Sequence, residues 1–137
     1  MNADNLPPLE VLLVEDDSGV RNVLSKAIRT YRANVTVAVD GQDGVEKYGA
    51  RMQSGTNFFD VVITEIALPR LSGNEVLRRI REYTHQPLVY VMYDDSDTLT
   101  QINELNPDGL FEKPFGIEKI REALKEADQR RAQANQS

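Results

Sequence analysis

Phe59-Asp60-Val61-Val62-Ile63-Thr64-Glu65-Ile66-Ala67-Leu68-Pro69-Arg70-Leu71-Ser72-Gly73 is the stretch that decides the fold. Val61 to Ile63 is a β-branched apolar run with the length of a buried strand. It delivers one carboxylate, Glu65, to the point where the strand should stop. Pro69 and Gly73 then break the backbone, and Ser72 with Glu75 has the spacing of a helix capping box. Open α/β sheets build their sites where a strand hands such a side chain to the loop at its carboxyl end.

Two further runs resemble this one. Leu9 to Val14 is almost unbroken apolar sequence that ends in Glu15-Asp16-Asp17, and Leu88 to Tyr93 ends in Asp94-Asp95-Ser96-Asp97. Asn34 to Asp40 alternates instead, with Val35, Val37 and Val39 on one side, which suits a sheet edge. Leu110-Phe111 makes a short last strand after the turn Asn106-Pro107-Asp108-Gly109 and leads into Lys113-Pro114-Phe115. Between the runs the period is helical: Val20, Leu24, Ala27, Ile28 and Tyr31; Val45, Tyr48 and Met52; Val76, Leu77, Ile80 and Tyr83; Leu99, Ile102 and Leu105; and Ile117, Ile120, Leu124 and Ala127.

Five βα units in succession require right-handed crossovers and a parallel sheet covered on both faces. The apolar runs belong at its centre and the alternating and short strands at its edges. The expectation is therefore a doubly wound α/β, flavodoxin-like three-layer sandwich with strand order 2-1-3-4-5. Glu15, Asp16 and Glu65 then meet at the switch point between the first and third strands, and Lys113 reaches the same rim.

The 137 residues make one domain, expected over 9–130 between flexible tails at 1–8 and 131–137. A net charge of −6 argues against a broad nucleic-acid footprint, and the lack of cysteine excludes disulfides and thiolate chemistry. Met1 to Pro8 has no apolar core of the kind a signal peptide needs, and no run approaches the ~18 residues of a membrane span. These features point to a cytoplasmic protein.

The ordered motifs resemble a receiver domain of two-component response regulators, of the stand-alone, chemotaxis-regulator-like kind, from about Leu9 to Ala127. Glu15-Asp16 is similar to the family's metal-binding acids, Asp60 to Gly73 to its phosphoacceptor segment, and Phe111 to Phe115 to its lysine segment, where a cis Lys-Pro bond is usual. The resemblance implies Mg²⁺ bound by Asp16, Glu65 and the Ala67 backbone carbonyl, with Glu15 acting through water. It also implies a sensor histidine kinase or a downstream signalling protein as partner. The chain is expected to be a monomer or weak dimer without direct nucleic-acid or membrane contact, and not an enzyme.

Three departures set this chain apart. Glu65 stands where the family has its phosphoacceptor aspartate. Met92 and Tyr93 stand where the family has Ser or Thr followed by a small residue, and Leu110 replaces the switch aromatic. Glutamate advances the carboxylate by about 1 Å, a displacement that can cost on the order of 10²-fold in rate. A thioether donates no hydrogen bond to a phosphoryl oxygen, and Tyr93 crowds the donor's approach. The expectation is an atypical or pseudo-receiver that acts by protein–protein contact, with Lys113 before Pro114 salt-bridged to Glu65. A second reading within the class makes Glu65 an introduced substitution that imitates activation.

Two rivals come from other classes. A flavodoxin-like flavin carrier needs a phosphate loop where the acid run stands. A haloacid-dehalogenase-like phosphatase needs Asp-x-Asp, and Glu15 holds the first place. Outside the pocket, His85 is expected to be an exposed bystander and Arg78, Arg79 and Arg81 a solvated face. Asp94, Asp95 and Asp97 are expected to form a loop and helix cap.

Overall fold

The computed structural model describes residues 6–95, 97 and 99–136. Its elements are β1 (Glu10–Val14), α1 (Ser18–Thr30), β2 (Asn34–Ala38), α2 (Gly41–Ser54), β3 (Val61–Glu65), α3 (Gly73–Arg81), β4 (Leu88–Tyr93), α4 (Thr100–Glu104), β5 (Gly109–Glu112) and α5 (Ile117–Gln136). The strands pair in parallel in the order β2-β1-β3-β4-β5. This is the expected sheet.

Because side chains alternate along a strand, each apolar run feeds two cores. Val11, Leu13, Val61, Ile63, Tyr90 and Met92 pack on one face against Leu24 and Ile28 of α1 and Ile120 and Leu124 of α5. Leu12, Val14, Val62, Val89 and Val91 pack on the other face against Tyr48 of α2, Leu77 and Ile80 of α3, and Ile102 of α4. Runs apolar at every position are therefore what a strand sandwiched between helices requires.

Three helices begin on side-chain caps. Asp17 accepts the Val20 N–H at 2.9 Å, Asp40 accepts the Asp43 N–H at 2.7 Å, and Ser72 accepts the Glu75 N–H at 3.3 Å. Only half of the capping box forms, because the Glu75 carboxylate turns to Arg78 and Arg79 instead. At the amino-terminal rim of the sheet, Asp60 Oδ2 accepts the Glu10 N–H at 2.8 Å and Asp108 Oδ2 accepts the Val89 N–H at 2.7 Å. Two carboxylates thus close strand starts where no further backbone partner follows.

Several sequence expectations need correction. α5 continues through Gln136, past the boundary expected at residue 130, because Arg131 pairs with Asp128 at 2.6 Å and donates to the Pro7 carbonyl at 2.7 Å. The expected amino-terminal tail is correspondingly held at Pro7, while residues 1–5 lie outside the described residues. α4 is only five residues long, and the acids before it do not cap it: Leu99 takes the N-cap position without a side-chain bond, and Asp97 accepts the Asp94 N–H. His85 is half-buried, its ring against Phe58 and its Nε2 3.4 Å from the Phe59 carbonyl. Arg81 is not part of a solvated face; it donates to Gln86, the Asn106 carbonyl and Asp108 and so ties α3 to the segments that lead into β4 and β5. Among the described residues no helix is long and apolar enough to cross a membrane.

Candidate functional site

The carboxyl ends of β1, β3 and β5 bring Glu15, Glu65 and Lys113 together. Backbone bonds fix this rim: Ile66 N–H to the Met92 carbonyl at 2.9 Å, Gly73 N–H to the Ile66 carbonyl at 2.8 Å, and Lys113 N–H to the Tyr93 carbonyl at 2.7 Å. Gly73 is required by close approach. A Cβ there would lie 2.3 Å from the Glu65 carbonyl oxygen and 2.7 Å from Ile66 Cα, so only glycine lets α3 start against the end of β3. The Lys113–Pro114 peptide is cis, as the resemblance implies.

The acid run Glu15-Asp16-Asp17 divides three ways. Glu15 is buried, 1% exposed, with Oε1 3.2 Å from Lys113 Nζ and Oε2 accepting the Asp17 N–H at 3.2 Å. Asp16 is exposed at the mouth, and Asp17 caps α1. Arg21 donates to the Glu15 carbonyl at 2.8 Å and holds the loop against α1. Glu65 is 5% exposed and its Oε2 forms a close ion pair with Lys113 Nζ. The expected Lys113–Glu65 pair is present, and Glu15 is a second partner that sequence reasoning did not supply.

One ammonium therefore serves two buried carboxylates. Burial pushes both glutamates above the ordinary carboxylate range, against the opposing charge of Lys113; the Asp17 N–H helps hold Glu15 down and the Ala67 N–H helps hold Glu65 down. Burial works against the Lys113 charge too, but the hydrogen bond it donates to Glu65 and the charges of Glu15 and Glu65 outweigh it and raise its pKa. Ala67 follows directly on this rim, and among the described residues no three His, Cys, Asp or Glu side chains converge closely enough to share an ion.

Met92 pairs in register with Glu65 and with Phe111, and it is fully buried in the core between the sheet, α1 and α5. Its side chain is apolar filling beside the carboxylate. Tyr93, the next residue, turns to the opposite face, where it lies half-buried with Leu99, Leu105 and Leu110 against the Ile102 core. Pro114 is exposed.

Residues 11–125 match the model of the response regulator receiver domain family. The chain belongs to this family. As a receiver domain of the two-component systems, it is 29% identical over 113 residues to the response regulator ArlR of Staphylococcus aureus, covering 81% of this chain and 48% of that protein. It thus spans about half the length of the curated relatives it matches. A receiver domain from Clostridium thermocellum has the same fold, with a TM-score of 0.79 at 22% identity, over 90% of this chain and 96% of that one. The amino-terminal domain of a Wolinella succinogenes protein gives 0.78 at 29% identity, over 94% and 99%. The Vibrio cholerae chemotaxis protein CheY4 gives 0.73 at 21%, over 88% and 98%.

Proposed function

We propose that this receiver domain is a pseudo-receiver: it signals by protein–protein contact, without an aspartyl-phosphate cycle, and catalyses no reaction of its own. The observation that carries the reading is Glu65 at the end of β3, ion-paired to Lys113 with fully buried Met92 beside it. Phosphoryl transfer needs an aligned nucleophile and groups that stabilise charge on the phosphoryl oxygens. Here the nucleophile's place holds a longer carboxylate already engaged by the lysine, and its neighbour on β4 offers no donor.

The donor set suits Mg²⁺ in its chemistry, since hard carboxylate and carbonyl oxygens are what that ion takes. Asp16, Glu65 and the Ala67 carbonyl would hold it, with Glu15 through water, and it would supply positive charge for phosphoryl oxygens. In this pocket Lys113 already provides positive charge to Glu15 and Glu65, so binding is weak.

The contact face in this reading is formed by α4, β5 and α5, where Tyr93, Leu99, Leu105 and Leu110 are half-buried. Its partner is a sensor histidine kinase or a downstream signalling protein, and its place of work is the cytoplasm. Mass spectrometry after incubation with acetyl phosphate and Mg²⁺ tests the reading. No phosphoryl increment is expected on this chain while a conventional receiver domain labels beside it. Stoichiometric phosphoryl on Glu65 would overturn the proposal.

A further inference from the structure

We infer that the outer edge of β2 is a strand-pairing surface for a second copy of this chain, and that Lys47 and Asp43 of α2 hold it closed. The edge lies on the far side of β1 from β3 and Glu65, so the inference stands apart from the pocket and from the contact-only reading.

The parity of β2 decides which of its main-chain groups are open. The Asn34 N–H bonds the Leu9 carbonyl at 2.8 Å, and the Ala38 carbonyl accepts the Glu15 N–H at 3.0 Å, so the even-numbered residues turn their main chain towards β1. Val35, Val37 and Val39 turn theirs outward, and no strand lies beyond them among the described residues. A β-branched edge with outward N–H and carbonyl groups is a template for another strand. Two side chains of α2 reach over it. Lys47 Nζ donates to the Val37 carbonyl at 2.7 Å. Asp43 Oδ2 accepts the Val39 N–H at 3.0 Å and pairs with Lys47 at 3.2 Å.

A second copy is the occupant because the edge complements itself. Two β2 strands running antiparallel about a two-fold axis at Thr36 set Val35 of each copy opposite Val37 of the other, and residues opposed in this way exchange both N–H···O bonds. Every such pair needs the Val37 carbonyl as an acceptor. An axis at Val37 instead sets Val35 opposite Val39 and needs the Val39 N–H as well. Lys47 and Asp43 hold those two groups, so the pairing is blocked at the atoms it requires. An arriving strand must displace an ammonium, and the same ammonium of the second copy would face it. Lysine over an edge is a common way of keeping such strands apart. Without it, the row of valines, with Val39 47% exposed, offers apolar contact along the same line.

Sedimentation equilibrium and amide hydrogen exchange on the whole chain test this, comparing wild type, K47M, K47Q and K47M/V35P. The Lys47 side chain is 42% exposed, so methionine removes the ammonium without opening a cavity. Each Lys47 variant is one unit more negative than the −6 of wild type, which opposes association, so any gain comes from the freed edge. K47M is expected to dimerise at least about tenfold more tightly than wild type, because one carbonyl is released in each copy. Its Val35 and Val37 amides should exchange more slowly as concentration rises. K47Q, shorter and uncharged, should shift association the same way. K47M/V35P should return to wild-type association, since proline removes an outward N–H at an edge position that tolerates it. Association in K47M and K47Q no tighter than in wild type would overturn the inference, and so would K47M/V35P dimers as tight as those of K47M. Phosphoryl labelling is read in neither assay, so failure here leaves the contact-only reading standing.

Discussion

Replacing Lys113 by Met should make stability depend on pH in the direction opposite to ordinary acid denaturation. The replacement keeps the stem's apolar packing and removes the charge that faces Glu15 and Glu65, whose side chains are 1% and 7% exposed. Breaking a buried ion pair by removing one partner costs roughly 3–5 kcal/mol, because the other charge stays buried and uncompensated. Lys113 is itself 28% exposed, so water offsets part of the loss and about 3 kcal/mol is expected at pH 7.5. For a chain of this length that lowers the melting temperature by on the order of 10 °C. The sign with pH follows from the carboxyls. Both glutamates have folded-state pKa values above the ordinary 4.5 because burial disfavours their charge. Their favourable contribution is complete below 4.5 and is lost as pH rises through the raised values. Without Lys113 that loss grows, so the gap between K113M and wild type should be widest near neutral pH and narrow towards pH 5. Lys113 itself, with its pKa raised above 10.5, is charged across this whole window and contributes no pH dependence there. Urea unfolding at several pH values measures the gap. A difference below about 1 kcal/mol at pH 7.5, as for an exposed pair, would refute the reasoning, and so would a gap that widens on acidification.

Three further outcomes are expected. Glu65→Asp alone should label poorly with acetyl phosphate, because realignment recovers about 3 kcal/mol while the missing donor at Met92 leaves a deficit of roughly 2.7–4 kcal/mol; E65D/M92T/Y93A should label readily, and equal rates would clear β4 of blame. Gly73→Ala should cost about 3 kcal/mol in urea unfolding, the upper end of the overpacking range, because both atoms its Cβ meets at 2.3 and 2.7 Å are backbone. Ile102→Ala removes the buried residue of a five-residue helix, so it should destabilise by roughly 2–5 kcal/mol and speed amide exchange across 100–105.

The sheet was legible because its information is local. Continuous apolar runs at Leu9–Val14, Val61–Ile63 and Leu88–Tyr93 have no stable place except between two helical layers, and the alternating Val35 and Val37 have no place except an edge. The pairing of Lys113 with Glu65 was legible from the lysine's place before Pro114. Its pairing with Glu15 was not, since it depends on how deeply the end of β1 sinks: the sequence places Glu15 on the same rim, as an acid acting through water, but only the fold shows it buried against the ammonium. Arg81 was lost for a similar reason, because its acceptors at Asn106 and Asp108 lie 25 and 27 residues away in sequence. The shortness of α4 was hidden because Leu99, Ile102 and Leu105 keep a helical spacing although only Thr100–Glu104 is helical. The extension of α5 rests on contacts of Arg131 with Asp128 and Pro7 that no apolar period announces.

The carboxylates of Asp60 and Asp108 at the starts of β1 and β4 give the sheet a mechanical asymmetry. The lower rim is riveted by side chains that accept backbone N–H groups across neighbouring strands. The upper rim carries the ion pair of Lys113 and the junction of β4 with the five-residue α4. That upper rim is joined across strands by main-chain bonds as well, such as Ile66 N–H to the Met92 carbonyl and Lys113 N–H to the Tyr93 carbonyl. The pleat of β4 joins the two sides: Met92 lies in the core with α1 and α5 and Tyr93 against the opposite core, one residue apart in sequence, so any shift of β4 is felt on both faces of the sheet.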